Sequence, residues 1–401
     1  MKVVILCTKY AATPDSPYLT DELANAIAEA GHQVRVLLAD WANEHHGTPR
    51  HPSAGSNLEL TVSKPVVVPG LPASLRRVVK WAFTSLRIAA QARRCAKDFE
   101  PDLVLAFSPL VALYAPVWFL TSSRVGRRFL VQWDFFPDAQ VQIGLLSGPL
   151  KIRLLKAVES WLIRRFNVVG CMSPRNIEYL YQNFALTPGT QTVHLPLWSS
   201  TPQFIPGSRQ VVRQMHSIAQ DVHVFVFGGQ LIAGRGIDDM LAAATRLKPA
   251  SDRVLFLFMG QGPMATEIEA VIAAGNPLVK LLPAVPRRQY LSLISACDVG
   301  VVCTLRDVMV PTFPSKTVDY LQAGLPILAS VEAATDYGDF IESNGLGVKV
   351  PAGDIDAFIA AVRKFCHAPV NSTAQAARAT ACLHQHFSVD QAKRIVLGNA
   401  G

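Results

Sequence analysis

Val310-Pro-Thr-Phe-Pro-Ser-Lys-Thr-Val-Asp-Tyr-Leu-Gln-Ala-Gly-Leu-Pro-Ile-Leu-Ala329 reads as a loop, a short helix and the start of a strand. The loop ends at Pro314. Ser315 stands at the helix N-cap, where serine is a preferred residue, and Asp319 lies in the first turns. Gly324 suits the left-handed residue that ends a helix, and Pro326 follows just beyond it. Ile327–Ala329 then begins an apolar strand. Ser315 and Lys316 therefore sit where backbone N–H groups lack helical partners and the helix dipole is positive. A lysine side chain adds a mobile cation. Such an end is suited to a phosphate or diphosphate, although a plain capped helix between two strands has the same local pattern.

Upstream, short apolar runs alternate with helical patterns. His223–Phe227 is a strand followed by Phe227-Gly-Gly-Gln-Leu-Ile-Ala-Gly-Arg-Gly236. Glycines there let a backbone approach a ligand, and Arg235 can fork onto a diphosphate. Val254–Met259 is the next strand, and Gly260-Gln-Gly262 is a tight turn after it. Asp298–Val302 is another strand, which places Arg306 and Asp307 on the loop before Ser315. In the first half, Lys2–Cys7, a helix marked by Leu19, Leu23 and Ile27, and Gln33–Leu38 form a βαβ unit. Phe129–Gln132 is a strand running into Trp133-Asp-Phe-Phe-Pro-Asp138, and Val168–Met172 is the strand after that. A carboxylate just past a parallel strand, such as Asp134, lies where α/β sheets place ligand chemistry. Glu159, on the next helix, either reaches that region or braces its neighbours.

Thr187–Gly207 holds four prolines and reads as the boundary between two domains of similar size. The expected architecture is α/β, with an N-terminal Rossmann-like domain over 1–199, a second over 200–384, and a closing helix over 385–401 that returns to the first domain. Seven scattered cysteines with no CxxC pair suit buried thiols rather than disulfides or a zinc site. His45, His46 and His51 match no tight zinc spacing and read as a polar surface loop. No G-x-G-x-x-G follows the first strand, so a dinucleotide role loses support. Met1–Cys7 is too short for a signal peptide. Leu103–Thr121 is almost wholly apolar, but Pro109 and Pro116 interrupt it. It reads as a strand, Leu103–Phe107, and then a helix with Pro109 at its first position.

The net charge is +8. Leu75–Lys97 carries an apolar stripe beside Arg76, Lys80, Arg87 and Arg94, with Trp81 between, and Lys151–Arg165 is a second basic helix. Basic amphipathic helices with an interfacial Trp suit an anionic membrane surface as well as an ordinary domain surface. Nucleic acid is disfavoured, because these cations flank apolar stripes rather than stacking aromatics.

Pro314-Ser-Lys, Asp319-Tyr-Leu-x-Ala-Gly and Pro326-Ile-Leu-Ala resemble the donor-binding segment of the family 4 retaining glycosyltransferases, which have the GT-B fold. The closest resemblance is to the branch building bacterial surface polysaccharides. Trp133–Asp138 resembles that branch's Asp-Leu-Trp-Pro-Glu segment. Asp336–Glu342 and Val350–Asp354 resemble its closing motifs. The resemblance implies two Rossmann-like domains facing across a cleft that closes on the substrates. It implies a nucleoside-diphosphate sugar, with UDP, as co-substrate, no metal or other cofactor, and front-face displacement. It implies Asp134, Arg235 and Lys316 as catalytic residues, with Asp134 on the acceptor side. Gly229, Gln230, Gly260, Gly262, Arg306, Ser315, Lys316 and Asp319 would bind the donor, Asp319 on the ribose hydroxyls. The chain departs from the family pattern at several places: Pro311 stands where a sugar-contacting Glu is usual and Asp319 where a second Glu is, Gln230 replaces a cation, and Phe135-Phe136 and Asp138 replace Leu-Trp and Glu. A lipid-linked acceptor at the inner face of the cell membrane follows from the same resemblance. A sugar-nucleotide epimerase and a non-catalytic scaffold of this fold are the alternatives.

Overall fold

The structure, a computed structural model, describes residues 1–11, 17–41, 43, 57–66, 70, 73–122, 125–200, 207–367 and 373–398, without the side chains of 73–75, 77 and 78. The histidine-bearing loop considered above lies outside the described residues. The chain divides into two compact units, 1–200 with 389–401, and 201–388.

The first unit contains β1 (Lys2–Cys7), α1 (Leu19–Glu29), β2 (Gln33–Ala39), β3 (Leu58–Ser63), α2 (Ala73–Asp98), β4 (Leu103–Phe107), α3 (Tyr114–Ser122), β5 (Arg127–Gln132), α4 (Asp138–Gln142), α5 (Pro149–Ile163), β6 (Val168–Cys171), α6 (Pro174–Asn183) and β7 (Gln191–His194). All seven strands are parallel, in the order β3-β2-β1-β4-β5-β6-β7. Central strands such as Leu103–Phe107 are apolar throughout because both faces are covered. Val3, Ile5, Leu105 and Val131 pack with Leu23 and Ile27 of α1. The alternate residues Val4, Leu6, Val104 and Leu130 are equally buried, and α2, α3 and α5 pack together.

The apolar run 103–121 resolves into β4, a 3-10 turn over Leu110–Leu113 and then α3. Pro109 stands just before the turn rather than at the first position of an α-helix. The cause is Glu159 of α5. Its fully buried carboxylate accepts the N–H groups of Leu110 at 2.8 Å and Val111 at 2.7 Å, which fixes the turn. Burial pushes its pKa up to about 7, against those two bonds. Glu159 thus braces its neighbours. No described helix is long and apolar enough to cross a membrane.

The second unit contains α7 (Arg209–Met215), β8 (His223–Gln230), α8 (Ile237–Arg246), β9 (Val254–Gln261), α9 (Ala265–Ala273), β10 (Val279–Leu282), α10 (Arg287–Ile294), β11 (Val299–Cys303), α11 (Lys316–Gln322), β12 (Ile327–Val331), α12 (Tyr337–Ser343), β13 (Gly347–Pro351), α13 (Ile355–His367) and α14 (Thr373–His386). Six parallel strands run β10-β9-β8-β11-β12-β13. Phe225, Phe227, Phe256 and Phe258 fill one face of its centre. At the opposite end of the sheet, Arg213 is wholly buried. It donates to the carbonyls of Ala296, Ala219, Gln220 and Val222 and pairs with Asp298 at 2.6 Å. Asp298 also accepts the Val224 N–H at 2.7 Å. A buried guanidinium is tolerable only when its donors are met in this way. The last helix, α15 (Val389–Leu397), packs in the first unit, where Val396 joins the core cluster of α1.

The strand order reverses between β1 and β4, and again between β8 and β11. Crevices form at the carboxyl ends of strands on either side of such a reversal. Two expectations from the sequence shift here. The proline-bearing stretch 187–207 contains β7, and β8 runs three residues further than expected, taking Gly228, Gly229 and Gln230 into the sheet.

Candidate functional site

Gly229 and Gln230 of β8 lie in register with Gly260 and Gln261 of β9. This pairing corrects the reading of the glycines as one ligand-facing set. A Cβ on Gly260 (φ +154) would lie 1.8 Å from the Gly229 carbonyl oxygen, and one on Gly262 (φ +150) 2.2 Å from that of Leu231. Those two glycines let the chain segments meet. Gly229 differs: its φ is +120 and a Cβ there would meet nothing within 4 Å. It alone of the three leaves open space above a strand end.

Lys316, the first residue of α11, lays its ammonium 3.3 Å from the ring centroid of Phe227 in β8. Burial, and then repulsion from Arg235, push its pKa down to about 7. Arg235 is exposed, and among the described residues no carboxylate pairs with it. Two cations therefore converge at the β8–β11 reversal. An anion entering there would restore the lysine proton.

Ser315 falls short of its expected part. Its backbone is already helical (φ −66, ψ −24), and its side chain makes no capping hydrogen bond. Serine caps from an extended backbone, so here the hydroxyl misses the N–H groups. At the other end Gly324 (φ +71) closes the helix as expected, with the Leu325 N–H donating to the Tyr320 carbonyl at 2.9 Å. Asp319 is engaged by Arg287 at 2.8 Å. Burial raises its pKa while Arg287 opposes that. Its unused lone pairs can still accept from hydroxyls.

Three residues that the sequence reading missed hold this arrangement. Tyr320 is fully buried, and its hydroxyl lies 3.2 Å from the Gly228 nitrogen, 3.0 Å from the Val226 oxygen and 3.1 Å from the Val301 oxygen. It thereby joins α11 to β8 and β11 where they part. Glu332, buried just past β12, accepts the Thr312 N–H at 3.0 Å and its hydroxyl at 2.8 Å, and also the Thr304 hydroxyl. It latches the loop that carries Pro311. Asp239 of α8 accepts the Gly353 N–H at 2.7 Å.

Arg306 needs correction as a donor-facing cation. Its guanidinium donates to the carbonyls of Ala352 at 3.1 Å and Gly353 at 2.8 Å, so it ties two loops together. The sequence also holds one D-x-D triplet that its reading passed over, Asp354-Ile355-Asp356. Asp354 accepts the Ala357 N–H at 3.0 Å and Asp356 pairs with Arg246, so both serve α13.

In the first unit, Asp134 follows β5 with an exposed side chain. Ser108, after β4, accepts the N–H groups of Trp133 and Asp134 at 3.0 Å each, and the Gln132 amide donates to the Asp134 carbonyl at 2.7 Å. Tyr18 lies near it: burial and then the Asp134 charge push the phenol up to about 12. The Lys9 ammonium sits 4.4 Å from the Tyr18 ring centroid. Asp138 is engaged elsewhere, by Lys156 at 2.6 Å and the Tyr179 hydroxyl at 2.8 Å. Asp134 and the second-unit residues each stand at their own sheet's reversal.

Two parallel-sheet α/β units with a crevice at each reversal define the GT-B class. The family model described as "Glycosyl transferase 4-like domain" matches residues 18–198, and "Glycosyl transferases group 1" matches residues 222–367. Together they take in most of the chain, and the chain is a glycosyltransferase of the GT-B fold. No curated protein matches it significantly. Three solved structures are similar along the whole length. Sucrose-phosphate synthase from Thermosynechococcus elongatus has a TM-score of 0.76 at 15% identity, over 99% of this chain and 97% of that one. HepE from Anabaena, in complex with UDP, has a TM-score of 0.71 at 16% identity, over 100% and 99%. WaaG, described as a glycosyltransferase involved in lipopolysaccharide biosynthesis, has a TM-score of 0.68 at 17% identity, over 98% and 100%. At such identities the likeness is one of fold.

Proposed function

We propose that this glycosyltransferase moves a sugar from a uridine diphosphate sugar to a lipid-linked or glycan acceptor, with retention at the anomeric carbon, in the building of a surface polysaccharide. The observation that carries the donor half is the pair of cations, Lys316 and Arg235, beside the open backbone of Gly229. A diphosphate supplies the missing charge. As the bond from the anomeric carbon to the diphosphate breaks, negative charge grows on the leaving oxygen, and preorganised cations stabilise it most at that point. The acceptor hydroxyl attacks from the same face, and its proton passes to the departing phosphate. Asp319 accepts the ribose hydroxyls, and Asp134 orients the acceptor. HepE, solved with UDP and with UDP-glucose, and WaaG, with its lipopolysaccharide role, support the donor and acceptor classes by analogy of fold.

The test is thermal unfolding with UDP, GDP, ADP, CMP and dTDP in turn. A ligand at 100 times its Kd adds about 2.7 kcal/mol of stability. The expected result is a shift with UDP above all others. A larger shift with another nucleotide would reassign the donor, and no shift with any would overturn the donor site.

A further inference from the structure

We infer that the outer face of α5 and α3 in the first unit is a docking surface for an anionic phospholipid bilayer. At about 100° per residue, Leu150, Leu154, Ala157 and Trp161 of α5 fall within an arc of roughly 60°. All four are exposed, Leu150 at 81% and Leu154 at 64%. Arg153 and Arg164 flank this ridge on one side, Lys151 and Arg165 on the other. The one acidic residue of the helix, Glu159, points the opposite way, into the core. Glu159 also fixes the roll of the helix, since its carboxylate is bonded to the turn that starts α3.

Where the ridge meets α3, Trp161 stacks on Trp118 at 5.3 Å with 17° between ring planes. Arg165 lies 3.5 Å from the Trp118 ring centroid and 4.9 Å from that of Trp161. Both indoles are exposed, as is Phe119 beside them. Free apolar side chains of this size are unusual on a monomer surface unless something covers them. An indole pair braced by a guanidinium, beside leucines rimmed with cations, suits the headgroup and upper acyl zone of a bilayer. Among the described residues, no carboxylate pairs with Lys151, Arg153 or Arg164. Charge complementarity therefore selects an anionic surface. The sequence offered two basic helices for such a surface, α2 with Trp81 and α5. Trp81 packs edge-on against Trp41 at 5.7 Å and Phe136 at 6.1 Å, which leaves α5, with α3, as the docking surface.

This deepens the reading above by giving a lipid-linked acceptor a surface from which to be reached, yet the two can fail separately. The full chain is sedimented with vesicles of phosphatidylcholine alone and with about a third phosphatidylglycerol. Transfer is assayed in parallel on a water-soluble acceptor. The expected result is binding to the anionic vesicles only, weakened at about 0.5 M NaCl. Leu150→Ser with Leu154→Ser, and separately Arg153→Glu with Arg164→Glu, each lower binding at least about tenfold. Both variants keep the parent thermal transition and nucleotide shift, because the altered side chains are exposed. Variants that bind as the parent does would overturn the proposal. So would a parent that ignores both vesicle types, or one that single-stranded RNA displaces from vesicles at equal charge. Loss of transfer with vesicle binding intact would instead count against the acceptor reading alone.

Discussion

The two units share one strand order over their first six strands and carry different equipment at the same place. At the β8–β11 reversal the strand ends offer cations and bare backbone: Lys316, Arg235 and Gly229. At the β1–β4 reversal they offer rings and an exposed carboxylate. Tyr18 stands by Lys9 there, Trp133 lies 5.0 Å from Phe107 and 5.2 Å from Trp198, and Asp134 projects past β5. One end suits phosphate, the other an uncharged hydroxylated ligand. The sheet decides where a site lies, and a handful of strand-end residues decide what it holds.

The largest expected effect tests whether the second unit's glycines serve packing or ligand. Gly260→Ala forces a carbon onto the Gly229 carbonyl and should cost about 3 kcal/mol or more. Gly229→Ala meets open space and costs about 1 kcal/mol of backbone strain. Urea unfolding followed by circular dichroism separates them, and equal costs would erase the distinction. All six tryptophans lie in the first unit, so their fluorescence reports whether the damage stays in the second.

Next is the division of labour between the reversals. Lys316→Ala should lower kcat/KM at least about tenfold and abolish the nucleotide-induced thermal shift. Asp134→Asn should raise the acceptor KM about fivefold with the nucleotide shift intact. Swapped outcomes would invert the assignment of donor and acceptor ends.

A smaller effect comes from the lysine's proton. The free Lys316 titrates near 7 and a bound anion raises that value, so nucleotide binding takes up a proton above neutrality. Affinity should therefore fall as pH rises, about fivefold from pH 7 to 8, measured by calorimetry in buffers of differing ionisation enthalpy. Stability without ligand moves the other way. Between about 7 and the ordinary 10.5 the unfolded chain holds a proton that the folded chain has released, so this lysine makes unfolding harder as pH rises. A flat binding profile would place the ammonium outside the anion's reach.

The smallest effect concerns Glu159 in the first unit. Its folded pKa of about 7 exceeds the ordinary 4.5, so the folded state holds the extra proton between them and stability declines as pH climbs through that window. Glu159→Gln should flatten the decline and cost about 1 kcal/mol at pH 5, since one N–H then faces an amide donor. A slope that survives the substitution would belong to another group.

Much of this was legible in the sequence because apolar runs and their punctuation carry it. β4, β5 and β6 follow from continuous Val, Leu and Phe, and Gly324 announced the end of α11. Lys316 and Arg235 were nominated because the one opens a helix after Pro-Ser and the other follows a strand and its glycines. What stayed hidden depends on contacts distant in sequence. Nothing local separates the glycine that opens a strand end from those that let β9 and its turn lie close beside β8 and Leu231. Nothing near Arg306 reveals that two carbonyls 46 and 47 residues onward take its guanidinium. Glu332 follows a strand as many surface acids do, and only the returning Thr304–Thr312 loop makes it a latch. Trp81 and Trp161 sit in similarly basic helices, and only Trp41 and Phe136 decide which indole turns inward.

The placement of α15 also governs the order in which the protein can be made. Arg127 donates from its guanidinium to the carbonyls of Val396 at 2.8 Å and Ile395 at 2.9 Å, across 269 and 268 positions. Every residue of the second unit leaves the ribosome between these partners. At about 5–20 residues per second, the 188 residues of 201–388 impose a wait of roughly ten to forty seconds. During that interval the face of α1 that α15 will cover stays open to water and to chaperones. The second unit is contiguous and free to complete itself first. The half that begins earliest in translation is thus the half that finishes last.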